Sequence, residues 1–125
     1  MLKNIGLAFG VVLILAGIAG YVPALTPDGK LLGIFAVNGP HNLVHITSGA
    51  IALAIALASP GHMGTFFKVF GVVYALVAVL GFFAGDQPLL GIIAHNMADM
   101  WLHIAIAAVS LWLGFGVRET VVSTA

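Results

Sequence analysis

Leu31 to His45 reads LLGIFAVNGPHNLVH, and 58 positions later Leu89 to His103 reads LLGIIAHNMADMWLH, with Leu, Leu, Gly, Ile, Ala, Asn and His in register. The helices that would precede these segments echo each other too. Phe9-Gly10-Val11-Val12 returns as Phe70-Gly71-Val72-Val73, and Gly20-Tyr21 as Gly81-Phe82. A chain that repeats itself in this way is expected to fold as two copies of one unit, here a helical hairpin. Its polar chemistry is then expected where the copies meet, because only there can His45 and His103 face one another.

The solvent of this fold follows from composition. With 62% hydrophobic residues, 6% charged and a mean hydropathy of +1.18, the chain has too little polar surface to cover a water-soluble globule. Four apolar runs, roughly Ile5 to Val22, Gly39 to Ala58, Phe66 to Ala84 and Met97 to Gly116, each approach the about 20 residues a helix needs to cross a bilayer. None alternates polar and apolar residues as a membrane barrel strand does. The spans use nearly the whole chain, so a single membrane domain over residues 1–125 is expected, with one repeat at about 4–58 and the other at about 65–116. The Lys3-led first run is as long as a full span, lacks a clear cleavage site and recurs as the third helix, so it is expected to remain as a span.

The remaining composition excludes several chemistries. Net charge is zero, which gives nucleic acid nothing to bind, and the absence of cysteine removes disulfides and thiolate ligands. No phosphate-binding loop, carboxylate pair or activated serine is evident, so an enzyme is not expected. Lys3, Lys68 and Arg118 mark the N-terminus, the loop after the second span and the C-terminus. By the positive-inside rule these face the cytoplasm, giving two hairpins of parallel topology.

Local signals refine the picture. Asn38 and Asn96 stand where helices should begin, and Pro40 falls in a first turn, where its missing N–H does no harm. The LLGIFAV and LLGIIAH segments before them are too short to span, and are expected at the outer interface or tucked against the bundle, bent at Gly33 and Gly91. Beyond the two starts, His41, His45, Gly49, Ala52 and Ala56 form one helical stripe, and Asp99, His103, Ala107, Ser110 and Gly114 form another. Small stripes let transmembrane helices approach closely, so the second and fourth helices are expected to pack together there, with the first and third outside.

That arrangement gathers His41, His45, Asp99 and His103, the ionisable groups inside the spans, which at membrane depth are read as functional. Three readings follow: a structural polar clasp, with Asp99 paired to His41; a ligand site; or a proton or small-solute pathway. As a metal site, three imidazoles and a carboxylate suit zinc or another transition ion. As a cofactor site, His45 and His103 could clamp a haem or chlorophyll-type ring between helices. His62 and His95 fall in loops on opposite sides and are expected to be solvated, although His95 lies near enough to join an outer site.

Taken together, the Gly-Tyr-Val-Pro end of the first span, the Asn38-Gly39-Pro40-His41-Asn42-Leu43-Val44-His45 opening of the second and the Asn96, Asp99, His103 pattern of the fourth resemble a family of small bacterial four-span membrane proteins classed only as a domain of unknown function. The resemblance runs from about Ile5 to Gly116. It implies an integral, multi-pass protein of the bacterial inner membrane with these positions as its signature, and no particular activity. The expectation is therefore an all-α bundle of four transmembrane helices made of two parallel hairpin repeats. It would sit in the lipid bilayer and act without catalysis by packing laterally on a membrane-protein partner or on its own copies, as an accessory subunit would. The cofactor or metal centre is the alternative.

Overall fold

The structure is a computed structural model and describes residues 1–118. The tail of the expected domain, including Ala125 with its cytoplasmic placement, lies outside the described residues. Four helices carry the chain: α1 (Leu2–Ala19), α2 (Gly39–Ala58), α3 (Met63–Ala84) and α4 (Met97–Leu111), the last continuing as a π-helical turn over Trp112–Gly116. All are long and apolar enough to cross a membrane, counting α4 through Gly116. The first span begins at Leu2 and ends before its apolar run does, because Val22 precedes Pro23 and takes an extended conformation (φ −91°, ψ 112°) that a helix cannot continue through.

The helices pair in chain order, α1 against α2 and α3 against α4, while α2 and α4 barely touch. This corrects the expectation that the stripes of the second and fourth helices face each other. The reason is a run of small residues on the first helix: Gly10 and Gly17 are buried against α2, and Gly6 where Met63 of α3 and Ala56 of α2 meet it. A Cβ on Gly49 would lie 2.6 Å from the Gly10 carbonyl oxygen, and one on Gly10 would lie 2.8 Å from that of Gly49. Backbone meets backbone there, an approach that only small residues permit. In the second hairpin Gly71 admits Leu111 and Gly114 admits Lys68 in the same way. Neither α1 nor α3 is therefore merely outer.

Between the hairpins, Phe9 of α1 meets Phe66, Phe67 and Phe70 of α3 edge-on, with ring centroids 6.2, 5.5 and 5.0 Å away. Leu2, Ala56, Met63, Phe67 and Leu113 close the bundle at the end that also carries Lys3 and Lys68.

The opposite end holds two tight turns of one design. Strands β1 (Lys30–Leu31) and β2 (Phe35–Ala36) pair antiparallel, and Leu89 bridges Ile93 likewise. At the tips Leu32 and Leu90 both have φ 53°, followed by Gly33 at 73° and Gly91 at 71°. Two successive positive φ values make a type I′ turn, which glycine accepts freely at its second central position. Each turn delivers the chain to an asparagine N-cap. The Asn38 side chain accepts from His41 N–H at 3.1 Å, and that of Asn96 from Asp99 N–H at 3.0 Å.

Candidate metal centre

The same two asparagines tie the hairpins together. Asn38 Nδ2 donates to the Ile92 carbonyl and Asn96 Nδ2 to the Ile34 carbonyl, each at 2.9 Å, so each cap holds the turn that precedes the other. An asparagine can do both jobs because its oxygen caps its own helix while its amide N–H groups remain free to donate. The clasp fixes the starts of α2 and α4 relative to one another, and His41, His45 and His103 from their first two turns converge.

His41, His45 and His103 are 3, 8 and 4% exposed, and one ring nitrogen from each lies within 4.8 Å of the others. The His41 ring sits 4.7 Å from that of His45 and 6.1 Å from that of His103, and Tyr74 of α3 backs His103 edge-on at 5.4 Å. His41 Nδ1 lies 2.8 Å from the Ala94 carbonyl. A carbonyl only accepts, so Nδ1 carries the proton and Nε2 of the neutral ring keeps its lone pair, the state in which histidine ligates metals. Nδ1 of His45 and of His103 is buried with no hydrogen-bond partner in the protein. On the lipid side, between α2 and α3, the three rings line a cleft of about 350 Å³ whose walls are aliphatic and aromatic, Ile51, Val69, Phe70 and Val73 among them.

Asp99 does not join this group. Its carboxylate accepts from Asn96 N–H at 3.1 Å, completing a capping box on its own helix, and His41 turns to the Ala94 carbonyl instead of pairing with it. A carboxylate three residues after an N-cap finds free backbone N–H groups nearer than any ligand across the seam. The expected three-histidine, one-carboxylate set is thus a set of three histidines. A haem or chlorophyll-type ring held by His45 and His103 would meet His41 as well, since a ring nitrogen of His41 lies within 4.8 Å of one on each of them.

His62 is exposed, as expected of a loop. His95 is not: it is 3% exposed, with Nδ1 2.7 Å from the Gly85 carbonyl and its ring 6.0 Å from that of His103. The signal was in the register, which aligns His95 with Val37, itself 8% exposed, so that both positions point inward.

Three buried imidazoles, that of His41 with its tautomer fixed by the Ala94 carbonyl, close enough to share one ion, can hold a zinc- or copper-class cation. No curated protein and no solved structure matches this chain. The model of the family described as a domain of unknown function (DUF4383) matches residues 3–116, which takes in all four helices, both turns and every residue of the histidine cluster, and the chain belongs to that family.

Proposed function

We propose that this is a non-enzymatic, multi-pass protein of the bacterial inner membrane, made of two helical-hairpin repeats, whose seam holds one zinc- or copper-class ion on His41, His45 and His103. The observation that carries the reading is the convergence of three buried imidazole nitrogens within 4.8 Å. Contraction of a few tenths of an ångström to an ångström or so brings such a set to the Zn–N bond length of about 2.0–2.1 Å. The reciprocal bonds of Asn38 and Asn96, and the equal φ of Leu32 and Leu90, support a duplication, since unrelated hairpins have no reason to share them. Connections too short to present a soluble face support a role as an accessory subunit of a larger membrane complex, with the ion as the rivet that keeps the two hairpins in one arrangement.

Full-length protein purified in mild detergent is expected to carry about one zinc or copper ion per chain by elemental analysis, and to melt at a lower temperature after chelation. His45→Ala and His103→Ala should each lose the ion, while His62→Ala keeps it. Wild-type protein that holds no metal and gains no thermal stability from added zinc, copper or cobalt would overturn the reading.

The turns that carry Asn38 and Asn96 are placed on the outer side, supported by the grouping of Lys3, Lys68 and Arg118 at the other end. Reporter fusions at Thr26 and Ala125 should therefore report opposite sides of the membrane. Reports from the same side would contradict the four-span topology.

A further inference from the structure

Asp99 is the one carboxylate within the spans, and it is 1% exposed. The chain has no lysine or arginine to set beside it, since Lys3, Lys30, Lys68 and Arg118 are all exposed. Its carboxylate accepts from Asn96 N–H, a neutral donor. A buried charge without an opposite charge is costly at membrane depth, so the counter-charge of Asp99 is missing from the protein itself. His103 follows four residues later on the same buried face of α4, about 6 Å along the helix axis. We propose that Asp99 is the counter-charge of the ion on His41, His45 and His103, and that this ion is singly charged, copper(I) rather than zinc(II). The proposal rests on the metal reading given above and names its ion.

The charges decide between the two. As ligands the three imidazoles are neutral, so with Asp99 the buried set carries one negative charge. A singly charged ion makes the set neutral, whereas a doubly charged ion leaves it positive. The cost of taking an ion out of water rises with the square of its charge, while its attraction to one carboxylate rises only in proportion. Zinc would reach neutrality only by bringing a hydroxide as well, beside a cleft whose walls are aliphatic and aromatic. Among singly charged ions, alkali metals are hard and take oxygen ligands, and an imidazole set suits copper. Asp99 also stands in the right relation to the trio. Its capping box holds it outside the ligand set, where it offsets charge without displacing an imidazole.

The test compares the two ions on one protein. Full-length protein in mild detergent, stripped with a chelator, is titrated without oxygen with copper(I) against bathocuproine disulfonate, and separately with zinc(II) against a chromophoric zinc chelator. Copper(I) should be held roughly tenfold more tightly than zinc(II), or better. Asp99→Asn keeps an oxygen that can accept from Asn96 N–H but removes the charge, and it should weaken copper(I) binding about tenfold. Metal-free Asp99→Asn should melt at or above the wild-type temperature, because a buried unpaired charge is gone, and should gain less from copper(I) than wild type does. Zinc(II) held as tightly as copper(I) would overturn the proposal. So would unchanged copper(I) affinity in Asp99→Asn, or a metal-free Asp99→Asn that melts well below wild type, which would make the carboxylate a structural cap. Wild-type protein that holds neither ion would instead bring down the metal reading, a failure seen before any variant is made.

Discussion

Gly49→Leu should destabilise the bundle by about 3 kcal/mol, the upper part of the range for forcing extra atoms into a packed interior. The Cβ alone would stand 2.6 Å from the Gly10 carbonyl oxygen, 2.7 Å from Ile14 Cγ1 and 3.0 Å from Ile14 N. Two of these neighbours are backbone atoms of α1, so no rotamer change relieves the clash and the hairpin must open along its length. Gly49→Ala should already lose about 1 kcal/mol or more for the same reason, whereas Gly61→Ala, with nothing within 4 Å of the added Cβ, should stay within about 0.5 kcal/mol of wild type. Unfolding in mixed detergent micelles measures all three. If Gly49→Leu and Gly61→Ala unfold together, the α1–α2 interface described above is not what holds the first hairpin.

The pairing behind this prediction is also where sequence reasoning went furthest astray, and the cause is physical. A stripe of small residues states that a helix will be approached closely, but not by which partner. Gly49, Ala52 and Ala56 on α2 fit the glycines of α1 as well as they fit Ala107 and Ser110 on α4. The stripe Gly6, Gly10, Gly17 was legible, and its place on the helix next in sequence favours it, since consecutive elements usually neighbour one another. Features set by chemistry within a few residues were read correctly: the asparagine caps, a bend at Gly33 and Gly91 and the extent of α2. The meeting of His45 with His103 was also legible, because their register and their distance from equivalent helix starts put them at one depth. Asp99 and His95 were misread because each depended on a competition that sequence spacing does not weigh. For Asp99, its own N-cap N–H won over a ligand across the seam. For His95, the Gly85 carbonyl and the gap at Gly81 drew an imidazole inward from a loop.

The second large effect is expected at the clasp. Asn38 makes two separable contributions. Its oxygen caps α2 at His41 N–H, worth about 1 kcal/mol. Its amide reaches the Ile92 carbonyl of the other hairpin, worth about 1 kcal/mol more. Asn96 repeats both at Asp99 N–H and the Ile34 carbonyl. Serine caps a helix about as well as asparagine but is too short to reach across, so Asn38→Ser should lose about 1 kcal/mol and Asn38→Ala about 2 kcal/mol. The double change Asn38→Ala with Asn96→Ala should lose about 4 kcal/mol if the two sites act independently, and less if one bond already fails when the other is cut. The serine pair is the more telling variant. It keeps both helix starts while removing the only side-chain hydrogen bonds, among the described residues, that pass from Asn38 and Asn96 to the opposite turn. If the clasp is what brings His41 and His45 to His103, metal affinity in the serine pair should fall about tenfold or more while each hairpin keeps its own helices, because the groups that hold the ligands in place are gone. Serine variants that melt and bind metal like wild type would mean that the aromatic contacts of Phe9 with α3 hold the seam without the asparagines. Serine and alanine variants that behave alike would mean that the caps contribute nothing, leaving the cross-hairpin bonds as the whole of the effect.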